Sequence, residues 1–125
     1  MKTKKNILFI ISLFLLGCNP KEMLILVQKP TDKELDNLKI VVMLDDLCVY
    51  KGKLKYTNIA STYYKIDVKP NKGEHLLRVI LEDNNFSFKV YYPEDRFIIL
   101  SPNYSKSKKN NYVGILKSDK QIELD

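Results

Sequence analysis

Few residues of this chain are of a type that does chemistry. There is one histidine, His75, and there are two cysteines, Cys18 and Cys48. Adjacent acids stand at Asp45-Asp46 and Glu82-Asp83. A histidine acting as general base needs a nucleophile or carboxylate within hydrogen-bond reach. Cys48 is a nucleophile that a layered strand structure could bring to His75. No glycine loop or oxyanion signature accompanies the pair, so a structural histidine at a strand start is the favoured reading. The acid pairs lack the Asp-x-Asp-x-Asp-Gly spacing of a calcium loop and read as turn chemistry. Two cysteines are too few for a four-cysteine zinc site, and one histidine excludes His-rich metal motifs. The expectation is a protein with no catalytic residues, no metal and no cofactor.

Eight tyrosines without a tryptophan offer recognition rather than reaction. By strand alternation Tyr63 and Tyr91 fall on polar faces beside Lys65 and Lys89. These four form a candidate binding face for a sugar ring or a protein partner, because aromatic rings bring contact area at low entropic cost. Cross-strand packing is the competing reading. Lys106, Lys108 and Lys109 form a candidate basic loop, able to touch anionic headgroups or acidic glycans, or simply to keep the loop solvated.

The first residues carry an address. Met1 to Lys5 is short and positive, and Ile7 to Leu16 is apolar apart from Ser12. A basic segment, an apolar run of about 7–15 residues and a small residue at its end describe a secretory signal. Ten residues at about 1.5 Å each span about 15 Å, half of a hydrocarbon core. The run is therefore too short for a permanent transmembrane helix. Its end, Leu15-Leu16-Gly17-Cys18, resembles the lipobox of bacterial lipoproteins, although Leu16 is bulkier than the small residue usual there. The resemblance implies that residues 1–17 are a cleaved signal peptide. It implies that Cys18 becomes the first residue of the mature chain and carries a diacylglycerol thioether and further acyl chains such as palmitate. The protein would then sit in the bacterial cell envelope, held to a membrane by lipid; two or three acyl chains hold where one would not. An ordinary cleaved signal with a chance cysteine is the alternative.

Processing changes the composition. The whole chain of 125 residues has 21 basic and 15 acidic side chains, net +6. Lys2, Lys4 and Lys5 are discarded with the signal, so the 108 residues from Cys18 onward carry 18 basic against 15 acidic groups, net +3. A nucleic-acid partner is not expected. With Cys18 lipidated, Cys48 has no partner within the chain, and burial as a small hydrophobe is its favoured reading.

The elements that must position these residues are strands. Residues 18–37 read as a tether and polar lead-in, in which Met23–Val27 is an edge strand or part of the tether's docking, and residues 38–125 as the domain. Leu38–Leu44 and Leu47–Leu54 are strands around an Asp45-Asp46 turn, and Gly52 marks a bulge or turn. Lys55–Thr62 is a loop. Tyr63–Val68 alternates cleanly, and Pro70–Gly73 is a turn. Glu74–Glu82 and Phe86–Tyr92 form a pair around a turn at Asp83–Asn85. On the first, His75, Leu77, Val79 and Leu81 form one face and Leu76, Arg78, Ile80 and Glu82 the other; on the second, Phe86, Phe88, Val90 and Tyr92 point inward. Arg96–Leu100 is a central strand, Ser105–Asn111 a polar loop and Tyr112–Lys117 a strand. Gln121–Leu124 adds a ragged edge. About seven short strands with turn chemistry between them predict an all-β fold, a single antiparallel β-sandwich of immunoglobulin-like or transthyretin-like shape. A small barrel is the alternative. Pro70–Gly73 followed by Glu74-His75-Leu76-Leu77-Arg78-Val79 resembles the strand start of PEGA-like surface sandwich domains.

The function expected is that of a lipid-anchored, non-catalytic envelope protein with a binding or accessory role towards another envelope protein or a glycan. The alternatives are a carbohydrate-binding module using exposed tyrosines, and an inhibitor that presents the Ser105–Asn111 loop to an external enzyme. Cys18→Ala should abolish metabolic fatty-acid labelling and leave the protein released from membranes or uncleaved. Persistent labelling of that variant would overturn the anchor.

Overall fold

A computed structural model describes residues 22–59 and 61–119 of the chain. Residues 1–17, expected to be a signal peptide, Cys18, and the edge expected at Gln121–Leu124 lie outside the described residues. Eight strands follow one another: β1 (Met23–Gln28), β2 (Lys39–Leu44), β3 (Leu47–Lys53), β4 (Tyr63–Val68), β5 (Gly73–Leu81), β6 (Asn84–Tyr92), β7 (Phe97–Ser105) and β8 (Asn110–Ser118). A single 3₁₀ turn, Lys33–Leu35, interrupts the connection from β1 to β2. The Asp32 carboxylate caps it by accepting from the Glu34 N–H at 3.0 Å, and Leu35 is driven into the core.

The strands form two four-stranded sheets, ordered β4-β1-β7-β8 and β3-β2-β5-β6. The β-sandwich is therefore as expected from the strand pattern. Its strand order departs from the immunoglobulin partition, which places the first and second strands in one sheet. Here they lie in different sheets. All pairings are antiparallel except β1 with β7, where Leu24 to Val27 run parallel to Phe97 to Leu100.

Met23–Gln28 lies in the segment expected to be a tether. It is instead a central strand, flanked by β4 on one side and β7 on the other. The reason is visible in its composition. Met23, Ile25 and Val27 are fully buried between the sheets, and Leu26 on the outward face is only 9% exposed. Ile99 beside it on β7 is 8% exposed. Strands apolar on both faces are what a parallel pair requires, since neither face is left to water.

The core lies between the sheets. Ile40, Val42 and Leu44 of β2 meet Leu77, Val79 and Leu81 of β5, and Ile98 and Leu100 of β7 close over them. Leu35 and Leu54 plug the end near the 3₁₀ turn. Each such side chain contributes about 1.5–3 kcal/mol by leaving water.

Register follows from this burial. The tight turn between β5 and β6 is Glu82-Asp83, not Asp83–Asn85, because Leu81 pairs with Asn84. That pairing sets Phe86 opposite Val79 and Phe88 opposite Leu77. A slip of one residue would turn both phenylalanines outward. Glu82 takes φ 53° to make the turn, and its carboxylate accepts from the Lys39 N–H at 2.8 Å. The β2–β3 ladder shifts register between Val42 and Met43, opposite Val49 rather than at Gly52. Gly52 has a different role: a Cβ there would stand 3.1 Å from the Tyr50 hydroxyl.

Two poles result. The 45–46 turn, the 69–72 connection and the 93–96 connection lie at the pole where β1 starts. The 29–38 and 54–62 connections, the 82–83 turn and the 106–109 turn lie at the other. Leu77→Ala, in the centre of β5, should cost about 2–5 kcal/mol in urea unfolding. Lys65→Ala on exposed β4 should stay within about 0.5 kcal/mol of the parent. Equal effects of the two would refute this placement of the core.

Candidate functional site

At the β1-start pole a cleft of about 540 Å³ opens between the sheets. One wall is the β2–β3 turn with Leu44, Asp45, Asp46, Leu47 and Val49, and the other is Val68 to Asn71. His75 stands at its base. Most of the lining is apolar, and Leu47 at its rim is 68% exposed. Lys69 on the second wall pairs with Glu22 at 3.5 Å.

His75 enters the cleft because β5 alternates. Its side chain shares the inward face with Leu77 and Val79, and only 11% of it is exposed. Nδ1 lies 2.7 Å from Asp45 Oδ2, and Nε2 lies 2.5 Å from the Asn71 carbonyl oxygen. The other Asp45 oxygen accepts from the Leu76 N–H at 3.0 Å, and the Asp45 N–H donates to the Leu76 carbonyl at 2.8 Å. Asp45 takes φ 55°, a left-handed conformation that aspartate tolerates better than most residues. The histidine's hydrogen bond to Asp45, and that to Asn71, raise its pKa above the ordinary value. The Asp45 carboxyl is held below the usual carboxylate range, chiefly by the bond from His75 and then by the Leu76 amide.

Cys48 is not beside this histidine. It pairs with Met43 on the outer face of the β3-β2-β5-β6 sheet, while His75 faces inward. The expected burial of Cys48 does not occur. The residue is exposed on an edge strand, its Sγ 3.6 Å from the Tyr50 carbonyl oxygen. The register shift at Val49 turns Val49 and Tyr50 towards the core and leaves Cys48 outside.

The candidate face of Tyr63, Lys65, Lys89 and Tyr91 is divided by the fold. Tyr63 and Lys65 lie on β4, an edge of one sheet, and Lys89 and Tyr91 on β6, an edge of the other. β4 abuts β3 and β6 abuts β8, so the two pairs occupy opposite edges as well as different sheets. Alternation alone reveals which residues point outward, but not which sheet a strand joins. Tyr91 is itself engaged, its hydroxyl donating to Glu74 Oε1 at 3.0 Å across the β5–β6 pair, and this bond raises its pKa.

Lys106, Lys108 and Lys109 are exposed on a four-residue turn, 106–109, with Lys109 at φ 54°. The expected seven-residue loop is shorter because β7 and β8 pair to Ser105 and Asn110. The Ser105 hydroxyl accepts from the Lys108 N–H at 3.3 Å and stiffens the turn. Beside it, Phe86, Ser105, Lys108, Asn110, Asn111 and Tyr112 line a groove of about 380 Å³ at the mouth of the sandwich. No spacing or alternation in the sequence reveals this groove, because Phe86 and Tyr112 belong to different sheets and only packing brings them together. Among the described residues no cluster of three or more His, Cys, Asp and Glu side chains is placed to hold a metal ion.

The chain matches no protein-family model, and no curated protein and no solved structure is detectably similar to it. In the native state Cys48 should take up one equivalent of a maleimide without denaturant. A thiol labelled only after unfolding would contradict its outward placement.

Proposed function

We propose that this chain is a lipid-anchored bacterial envelope protein, non-catalytic, that presents the pole remote from its anchor to an acidic protein or glycan partner. The observation that carries this reading is the polarity of the sandwich. The described domain begins at Glu22, four residues after Cys18. At no more than about 3.6 Å per residue, those four residues span at most about 14 Å. The pole where β1 starts therefore stays close to the anchored cysteine. β7 runs away from that pole for nine residues, about 30 Å, and ends at the lysine turn. The basic turn is accordingly better placed to meet a partner than the headgroups beneath.

A non-catalytic role is supported by the state of the candidate residues. Both nitrogens of the chain's single histidine are already engaged, and Cys48 lies on the other face of its sheet. The basic turn and the groove beside it combine cations, side-chain amides and aromatic carbon, a mixture suited to acidic protein or glycan surfaces. Because the turn is short, an inhibitory loop has less support, and the separation of Tyr63 from Tyr91 leaves a shared tyrosine platform with less support too.

Affinity capture of the intact lipoprotein from its own envelope, with a photo-crosslinking residue at Lys108 or at Lys69, tests this reading. A specific adduct is expected from position 108 and none from position 69. Reversing the charges (Lys106→Glu, Lys108→Glu, Lys109→Glu) should lower recovery about tenfold and remove its salt dependence. Adducts confined to position 69, or recovery indifferent to the reversal, would overturn it.

A further inference from the structure

We propose that His75 is a proton-dependent clamp that holds the two walls of the cleft together, so that loss of one proton from its ring opens the cleft. The geometry requires the charged ring. Nδ1 faces a carboxylate oxygen of Asp45, and Nε2 faces the carbonyl oxygen of Asn71. Neither partner atom has a proton to give, since a carboxylate and a carbonyl only accept. Only the imidazolium donates from both nitrogens; a neutral ring keeps one N–H and turns a lone pair towards the other oxygen. The two acceptors belong to different connections, Asp45 to the β2–β3 turn and Asn71 to the link between β4 and β5. One side chain thus bridges the opposing walls, and its deprotonation releases one of them.

The surroundings bear on when this happens. Asp45 and Asp46 face the cleft from the first wall and Lys69 from the second, while Glu74 precedes His75 on its own strand. On β6 the residue opposite is Val90, which carries no charge, and from the other sheet Val68 closes the side. Lys69 is paired with Glu22. The bonds to Asp45 and Asn71 raise the histidine's pKa above its ordinary 6.5, and the bond from His75 lowers that of Asp45 below 3.8. A group whose pKa rises on folding stabilises fully below its unfolded value and loses that effect as pH climbs through the folded value. The carboxylate behaves in the opposite sense, losing its effect as pH falls through its lowered value. The clamp therefore holds from acidic pH through 6.5 and opens on the alkaline side of the histidine's raised pKa. Protons thereby govern access to an apolar cleft beside the tether.

The single histidine makes the test direct. In the full-length lipoprotein in detergent micelles, the ring's NMR titration should lie above 6.5. Hydrogen-exchange protection of segments 44–47 and 69–76, corrected for intrinsic rates, should fall about tenfold over the same pH interval. Core segments of β5 and β7 should keep theirs. Asp45→Asn should lower the titration and shift the opening with it. His75→Gln should abolish the pH dependence of wall protection. A ring titrating at or below 6.5 in the parent, or wall protection that ignores the titration, would overturn the clamp. Should His75→Gln fail to fold, the parent and Asp45→Asn titrations decide the matter.

Discussion

The pairing of β1 between β4 and β7 is the contact on which the sandwich depends. Among the described residues β4 has no sheet partner other than β1, so without β1 it loses its ladder. β7 would become an edge, with Ile99 and Leu100 facing unpaired backbone. The parallel ladder from Leu24–Phe97 to Val27–Leu100 joins the beginning of the domain to its end. Such a non-local ladder is entropically costly to close. It is stabilised by burial on both faces, through Ile25 and Val27 within and Leu26 and Ile99 without.

That same strand gives the molecule its direction. β1 starts at the pole holding the cleft and runs parallel to β7, and Glu22 stands beside the Lys69 wall there. The lysine turn is carried to the far end by the length of β7. The two poles differ in kind. One has a largely apolar cleft with a histidine hydrogen-bonded to Asp45 and Asn71; the other has a compact basic turn beside a groove of aromatic and amide side chains. The histidine cluster and the basic turn thereby occupy separate ends of one small domain.

Most strands were legible in the sequence, and the physical reason differs from one to the next. β4 and β5 alternate, so period-two spacing alone groups their residues into two faces, and His75 shares one with Leu77 and Val79; burial decides that this face points inward. β1 does not alternate. A continuous apolar run carries no face information, and its closeness to the signal gives it the look of a tether. The turn at Glu82-Asp83 was displaced by one or two residues because asparagines favour turns locally, whereas the cross-strand burial of Phe86 and Phe88 decides the register. The exposure of Cys48 depends on a register shift that no local preference announces.

By itself the sequence determined the composition of the chain, its all-β character and which residues of an alternating strand share a face. These follow from residue type, spacing and alternation, all of them local. Tertiary structure alone decided which strands share a sheet, and so separated Tyr63 and Lys65 from Lys89 and Tyr91. It also decided that Asp45 and Asn71, 26 positions apart in the chain, present oxygen atoms to both sides of one ring. Pairing between distant strands is selected by the burial of whole faces, a sum over many residues that no short stretch of sequence contains.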